Sequence, residues 1–328
     1  MRAVLCKEFG SPTSPERVAI QDIPAPTQKP DEVIVSVRVA GISFPDVLLL
    51  QNKYQYTPTL PFTPGSELSG IIKSVGADVK GYKPGDAVIG KTKGSCAEEV
   101  AVPASKLWHL PAGVDFNSAA GFSGNYATSY YALKQRANLQ PGETLLVLGA
   151  SGGVGLAAVD LGRMMGARVI ACASTAAKLD ACKQAGADEL INYETEDIHT
   201  RAMQITGGKG VDVVYDPVGD RFAEPSVRSM GWNGRYLIVG FAAGAIPKIS
   251  FMLPFEKRCA LMGVWSGGYT QRFPRESYDN ITELIAMLAA GKIRPHISGV
   301  YALENIGEAF RALANREVIG KVVITTGK

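Results

Sequence analysis

A glycine-rich loop between an apolar run and an amphipathic stretch constrains the fold of this 328-residue chain more than any other feature. Residues 146–161 read LVLGASGGVGLAAVDL, with four glycines in the loop. The apolar run before the loop predicts a β-strand, because it is short and is bounded by turn residues. Helical spacing then follows in Val154, Ala157, Ala158, Leu161 and Met165.

Strand, glycine loop and helix form the context in which this fingerprint indicates a dinucleotide site. Gly152 would let the backbone approach a diphosphate, Gly155 would let the helix pack on the strand, and free N–H groups at the helix start would bind the anion. A glycine turn in an ordinary βα unit is the alternative. No Lys-Ser or Lys-Thr pair follows, which argues against a nucleoside triphosphate loop. The loop residues predicted to contact the dinucleotide are Ser151, Gly152, Gly153 and Val154.

The end of the next predicted strand indicates which dinucleotide binds. An acidic side chain about 20 residues beyond the glycines would accept hydrogen bonds from the 2′-hydroxyl of the adenosine ribose. This sequence reads ACASTAAKL there, with no carboxylate before Asp180. The hydroxyl of Ser174 and the ammonium of Lys178 favour a 2′-phosphate, which predicts NADPH. A solvated helix charge is the alternative role for Lys178.

The apolar pattern predicts an α/β protein with two domains. After about residue 140, six apolar runs alternate with helical segments and predict a doubly wound parallel sheet, at 145–148, 168–172, 189–191, 211–215, 235–239 and 260–264. The first third reads as β structure, and its run VIVSVRV (33–39) predicts a shared face for Val33, Val35, Val37 and Val39. The late run KVVITT predicts a strand that rejoins this first domain.

Composition narrows the classes of function. The 34 basic and 31 acidic residues leave a formal charge of +3, too little for a field that holds nucleic acid. No apolar run approaches the ~18 residues of a membrane span, and the N-terminus lacks a signal-peptide plan. Five scattered cysteines without a CxxC pair predict reduced thiols. We therefore expect a cytoplasmic protein without a membrane or nucleic-acid partner.

Several motifs in order resemble the zinc-independent quinone oxidoreductases of the medium-chain dehydrogenase/reductase superfamily. They include GISFPDVLLLQNKY (41–54), PFTPGSELSG (61–70), NYATSYYAL (125–133) and GVDVVYDPVG (210–219). The resemblance implies a β-rich GroES-like catalytic domain, residues 1–122 and 266–328, into which a Rossmann domain, residues 123–265, is inserted. It also implies an active site in the cleft between them and a homodimer joined through the edges of the Rossmann sheets.

The zinc-dependent relatives of this family provide a negative test. Where they carry Cys, His, and Cys or Asp as ligands, the aligned residues here are Ser43, Ser66 and Gly124. A catalytic zinc needs three protein ligands, so no metal is predicted. The remaining reaction is hydride delivery from NADPH to an acceptor that is already electrophilic, either a quinone or an α,β-unsaturated carbonyl compound.

The resemblance also carries residue roles onto this sequence. Ser43 stands where many relatives have Asn facing the nicotinamide ribose and substrate, and Tyr54 would line the substrate cleft and donate to a quinone oxygen. Asn125 is expected at the catalytic site and, with Thr128, at the nicotinamide ribose and phosphate, while Tyr126 would project toward the pocket. Further expected contacts are Tyr193 near the adenine, Val218 and Phe241 beside the nicotinamide, and Arg316 and Lys321 near the phosphates.

Structural roles compete with several of these assignments. Apolar residues at strand ends such as Val218 and Phe241 are often plain core packing, Tyr54 could belong to a surface aromatic loop, and Arg316 could be a solvated charge. Asp46 could act in catalysis or bond to nearby backbone. Two alternative functions stay open: a 2-enoyl thioester reductase of the acrylyl-CoA type, and a non-catalytic NADPH-binding protein.

Overall fold

The computed structural model describes residues 1–11 and 18–328, which form two compact units. Unit 1 comprises Met1–Gly124 and Pro295–Lys328, and unit 2 comprises Asn125–Arg294. The first boundary lies two residues from the predicted one. The second differs, because the chain returns to unit 1 at residue 295 rather than 266. Helices after residue 266 pack inside unit 2: the Tyr269 ring stacks on Tyr131 at 4.0 Å, and Glu283 accepts a 2.6 Å hydrogen bond from Tyr130.

Fifteen strands are present in residues 1–11 and 18–328. In chain order they are β1 (Arg2–Cys6), β2 (Val18–Asp22), β3 (Glu32–Ile42), β4 (Glu67–Val75), β5 (Ala87–Lys91), β6 (Glu99–Pro103), β7 (Leu107–His109), β8 (Thr144–Val147), β9 (Arg168–Ala173), β10 (Glu189–Asn192), β11 (Val211–Asp216), β12 (Met230–Ile238), β13 (Ala260–Gly263), β14 (Ile297–Ala302) and β15 (Lys321–Thr325).

Ten α-helices accompany these strands in the described ranges, and a π-helix over Tyr131–Arg136 extends the second of them. The α-helices are α1 (Phe44–Leu50), α2 (Phe116–Tyr130), α3 (Gly153–Met164), α4 (Ala176–Gln184), α5 (Ile198–Ile205), α6 (Ala223–Arg228), α7 (Met252–Lys257), α8 (Ser266–Arg272), α9 (Pro274–Ala289) and α10 (Ile306–Ala314).

Unit 2 contains the predicted doubly wound sheet. Its strand order is β10-β9-β8-β11-β12-β13, and every neighbouring pair is parallel. All six predicted strands are confirmed, although β12 begins at Met230, five residues early, where it pairs with Val211 across a register shift. The order reverses between β8 and β11, and the crevice outside the carboxyl ends at such a reversal is where this fold binds ligands.

Unit 1 is built on a β-rich core. Strands β14-β15-β3-β4-β5-β7 form its larger sheet, and β6 pairs with β3. The late strand β15 rejoins this domain as predicted, and it pairs antiparallel with β3. Val33, Val35 and Val37 belong to one buried cluster, but Val39 packs separately with Ala120. The prediction of one shared face is therefore wrong for Val39, because the β3–β4 register shifts between Val37 and Val39.

Candidate functional site

The glycine loop forms a tight cradle at the start of α3. Gly149 follows β8 with a φ of +53°, a left-handed conformation that favours glycine. A Cβ atom added at Gly155 would clash with the carbonyl oxygen of Gly149, so the helix packs against the loop backbone itself. Gly152 is the N-cap residue of α3, and the first N–H groups of a helix have no partner within the helix. The N–H groups of Ala150 and Gly152 donate to the carbonyl oxygens of Cys172 and Gly149, so the donors that remain at this end are those of the first turn of α3.

The turn after β11 lies directly against this loop. A Cβ atom on Gly149 would be 2.7 Å from the Val218 side chain. The carboxylate of Asp216 accepts hydrogen bonds from the N–H groups of Val218 (2.7 Å) and Gly219 (2.8 Å), and the Tyr236 hydroxyl donates to its other oxygen. Burial raises the pKa of Asp216, although these hydrogen bonds oppose the shift. Asp216, which the sequence interpretation missed, thus fixes Val218 at the strand-order reversal.

The side chains predicted to select the 2′-phosphate come together at the end of β9. The Lys178 ammonium lies 3.4 Å from the Ser174 hydroxyl, and both residues are half-buried. Thr175 between them is the N-cap of α4, and its hydroxyl accepts from the Lys178 N–H at 3.4 Å. Because the helix begins there, its positive end points toward the same place as the ammonium. An ammonium, a hydroxyl and a helix N-terminus therefore lie together at the end of β9.

An aromatic pair stands at the end of β10. The Tyr193 ring lies 4.7 Å from the Phe222 ring at an interplanar angle of 53°. The Arg221 guanidinium covers Phe222 at 4.7 Å and forms a 3.2 Å ion pair with Glu194. Sequence reasoning predicted Tyr193 here but missed Arg221 and Phe222. The sequence signal for them was the basic residue followed by an aromatic one, Arg221 and Phe222, directly after the segment DPVGD.

The second half of α2 is seated on α3. The Asn125 side chain occupies the space that a Cβ atom on Gly153 would need, and Ser129 donates a 2.8 Å hydrogen bond to the Val154 carbonyl. Thr128 is half-buried on the same helix. Tyr126, expected to project toward the pocket, is instead buried, and its hydroxyl donates to Asp160 at 2.8 Å. That expectation is corrected, because a buried phenol needs a partner and Asp160 supplies one.

Ser43 and Asp46 organise the start of α1 in unit 1. The Asp46 carboxylate accepts hydrogen bonds from the Ser43 N–H (2.8 Å), the Ser43 hydroxyl (3.3 Å) and the Gly65 N–H (3.0 Å). Burial raises the pKa of Asp46 against the opposing effect of these backbone donors. Two roles were left open for Asp46, catalysis and hydrogen bonding to nearby backbone. Its contacts in the structure are those of the second role. Ser43 keeps lone pairs available, but its hydroxyl proton is given to Asp46.

Tyr54 has a hydroxyl that no other described residue bonds. Its half-buried ring meets Tyr56 edge-on at 5.5 Å, and the Lys93 ammonium lies 4.2 Å from the centre of the Tyr56 ring. Burial first and the charge of Asp46 second raise the pKa of Tyr54 above its ordinary value of 10.0. The phenol is therefore protonated across the neutral range, as a hydrogen-bond donor must be.

Lys321 occupies a buried ion pair. Its ammonium is 3% exposed and donates to Glu67, which is 2% exposed and also accepts from the Ser123 hydroxyl at 2.8 Å and from the Gly124 N–H. Burial raises the pKa of Glu67, but Lys321 and the other donors outweigh it and hold that pKa below its ordinary value. A cofactor phosphate, the predicted partner of Lys321, would therefore compete with the Glu67 carboxylate for the Lys321 ammonium. Arg316 lies in an exposed turn after α10.

The positions aligned with zinc ligands do not fit a zinc ion. Ser43 donates to Asp46, Ser66 is exposed, and Gly124 has no side chain. The neighbouring carboxylates of Asp46 and Glu67 are occupied by backbone donors and by Lys321. Across residues 1–11 and 18–328, no three His, Cys, Asp or Glu side chains are grouped as a metal site would require. This donor set lacks the thiolate and imidazole ligands that zinc prefers.

No helix within the described residues is both long and apolar enough to cross a bilayer.

Comparisons with known proteins add a family context. The profile described as "Alcohol dehydrogenase GroES-like domain" matches residues 29–137, and the one described as "Zinc-binding dehydrogenase" matches residues 153–286. Quinone oxidoreductase-like protein 2 from Bos taurus is 38% identical over 327 residues, which cover 99% of this chain and 92% of the relative. These matches span both units.

Two solved structures share the whole fold. Quinone oxidoreductase from Escherichia coli, complexed with NADPH, superposes with a TM-score of 0.91 and 30% identity over 99% of this chain and 100% of its own. A probable oxidoreductase from Mycobacterium abscessus has a TM-score of 0.90 and 34% identity, with 99% of each chain covered. Sequence and structure comparisons therefore agree on one group of relatives.

Proposed function

Because the chain belongs to the quinone oxidoreductase family of the medium-chain dehydrogenase/reductase superfamily and is an oxidoreductase, we propose that it reduces quinones or α,β-unsaturated carbonyl compounds with NADPH. One observation carries the proposal. The glycine loop in unit 2, with the first turn of α3 at its end, lies one strand from the paired Ser174 and Lys178. A diphosphate and a 2′-phosphate are the anions that these two features would bind.

NADPH supplies a hydride when bound, and the protein contributes position and hydrogen bonds. The N-terminus of α3 would hold the diphosphate, and Asn125 with Thr128 would hold the nicotinamide ribose. Val218 and Phe241 would flank the nicotinamide, and the ring of Tyr193 would lie beside the adenine. In unit 1, the Ser43 oxygen would accept a hydrogen bond, and Tyr54 would donate one to the acceptor oxygen that gains negative charge. Arg316 would contribute positive charge to phosphate binding.

A test of this reaction follows from the unbonded Tyr54 hydroxyl. Wild-type protein should oxidise NADPH when a quinone or an enone is added, and Tyr54→Phe should lower kcat about 10- to 100-fold through the loss of one donor to the developing oxyanion. Tyr56→Phe is the matched control, because it removes a neighbouring hydroxyl and keeps the ring contact with Tyr54. Absorbance at the NADPH band measures the rates. No turnover with any acceptor in wild type would contradict the proposed function.

The cofactor preference depends on Lys178 and has its own test. Lys178→Ala should weaken NADPH binding by about 1.5–3 kcal/mol, roughly 10- to 150-fold in Kd, because a charge-assisted hydrogen bond to phosphate is lost. NADH lacks this phosphate, so its Kd should stay unchanged. Lys183→Ala on the same helix, at an exposed position, is the control. Fluorescence titration gives both constants, and an equal effect on the two nucleotides would remove the 2′-phosphate assignment.

We also propose a homodimer formed through the edge of the unit 2 sheet. The edge strand β13 pairs only with β12 among the described residues. Large apolar side chains near this end of unit 2 are exposed: Phe251 at the N-cap of α7 is 86% accessible, Phe255 on α7 75% and Trp265 60%. Apolar patches of this kind mark association sites more often than open surface. A monomeric mass in sedimentation equilibrium would contradict this proposal.

A further inference from the structure

We propose that Asp160 is a positioning residue for the cofactor site: it holds Asn125 against the glycine loop and fixes the segment through which the chain leaves unit 2. The proposal rests on the proposed NADPH site, because it assigns Asp160 a role in shaping that site. Asp160 itself touches neither the loop nor any predicted cofactor contact.

The Asp160 carboxylate is a buried junction of three donors. It lies on α3, two turns beyond the glycine loop, and is 5% exposed. One oxygen accepts from the Tyr126 hydroxyl at 2.8 Å and from the Arg294 N–H at 3.0 Å. The other accepts from the Arg163 guanidinium at 3.0 Å. A buried carboxylate is tolerated only when it is hydrogen-bonded in this way, so these three bonds hold their donors to α3.

Two of these donors stand at the two places where the chain passes between units. Asn125 and Tyr126 are the first residues of unit 2, and Arg294 is its last residue. Arg163 strengthens the exit segment by donating to the Lys292 carbonyl at 3.4 Å. The space for its side chain exists because Gly186 has none, since a Cβ atom there would clash with the Arg163 chain. The Asp160 carboxylate thus anchors the chain to α3 both where it enters unit 2 and where it leaves it.

The connection to the cofactor site runs through α2. Asn125 lies against Gly153, with no room for a side chain between them, and Ser129 bonds the Val154 carbonyl one turn later. Tyr126 is the adjacent residue, and burial first and Asp160 second raise its pKa, so its proton stays in place as the donor. Loss of the hydrogen bond from Tyr126 to Asp160 would loosen the part of α2 with which unit 2 begins. Asn125 could then move away from the glycine loop.

The experiment compares Tyr126→Phe and Asp160→Ala with wild type by direct titration of NADPH and NADH. Both variants should raise the Kd of both nucleotides by the same factor, about fivefold or more, because Asn125 is predicted to contact the half that they share. Amide exchange in residues 125–130 and 292–294 should accelerate in Asp160→Ala. Tyr126→Phe keeps the test decisive if Asp160→Ala does not fold, because it removes a single hydroxyl.

A matched control separates positioning from general loss of stability. Val227→Ala removes buried volume from the core of unit 2 and no hydrogen bond of the Asp160 network, so it should lower Tm and change both Kd values less than Tyr126→Phe does. If wild type binds NADPH and Tyr126→Phe binds it equally well, the positioning role of Asp160 is overturned. If wild type binds no nucleotide, the proposed function fails instead, so the two outcomes are distinct.

Discussion

Replacing Gly155 with alanine is expected to abolish measurable NADPH binding and to destabilise unit 2 by about 1–3 kcal/mol. The added methyl group would meet the Gly149 carbonyl oxygen and the Ala150 backbone, which have no room to move because the loop is continuous with β8. Alanine favours helices by about 1 kcal/mol over glycine, so a loss of stability would show that the clash outweighs helix propensity. Thermal unfolding and nucleotide titration measure the two effects.

Gly152→Ala is the matched variant for that experiment. Gly152 has a φ of −75° and a ψ of 171°, extended backbone that any residue adopts, and its added Cβ would be 3.4 Å from the nearest atom, the Gly149 oxygen. Stability should therefore stay close to that of wild type. The Kd for NADPH should still rise at least tenfold, because the new methyl group would stand where the diphosphate approaches the backbone. Normal NADPH binding by Gly152→Ala would place the diphosphate elsewhere.

Removing one member of the buried Glu67–Lys321 pair should cost more stability than breaking an exposed ion pair. Glu67→Gln leaves the Lys321 ammonium buried without a counter-charge, which typically costs about 3–5 kcal/mol. Urea unfolding measures the loss. Glu224→Gln, which breaks an exposed ion pair with Arg228, is the control and should cost under about 1 kcal/mol. The double variant Glu67→Gln, Lys321→Met should recover much of the loss, because it also removes the ammonium that Glu67→Gln alone leaves unpaired.

The Glu67–Lys321 pair also makes the folding stability depend on pH, and the direction of this dependence follows from the pKa of Glu67. The pKa of Glu67 in the folded protein lies below its ordinary value of 4.5, so the folded state favours the ionised carboxylate. Its contribution to stability is complete above about pH 4.5 and is lost as the pH falls through the lower folded-state pKa. Wild type should therefore lose stability below pH 4.5 more steeply than Glu67→Gln. If both proteins lost stability equally below pH 4.5, Glu67 would not be ionised in the folded protein as assigned.

Local sequence pattern was sufficient to predict how the glycine loop, the Ser174 and Lys178 pair and the strands of unit 2 are arranged. The glycine loop is predictable because the loop needs a left-handed residue and close backbone approach, and only glycine supplies both. Ser174 and Lys178 are predictable as a pair because residues four apart lie together once a helix begins between them. The strands of the parallel sheet follow from their apolar runs, since both faces of such a sheet are buried.

The direction of a side chain was harder to predict when its partner is distant in the chain. Tyr126 was expected in the pocket, but it bonds Asp160, 34 residues away, and Lys321 bonds Glu67 across 254 residues. The return to unit 1 at residue 295 depends likewise on contacts such as Tyr131 with Tyr269. No local pattern encodes such pairings, because they arise only when separate elements pack.

The sequence by itself determined the order of strands and helices, the glycine loop before α3 and the absence of zinc ligand types at the aligned positions. These features depend on period, on glycine stereochemistry and on ligand chemistry, all of which are properties of short segments. Only the tertiary structure decided how Asp160, Asp216 and Glu67 are used. Each is a buried carboxylate that must find donors, and the donors available to it are set by packing rather than by sequence neighbours.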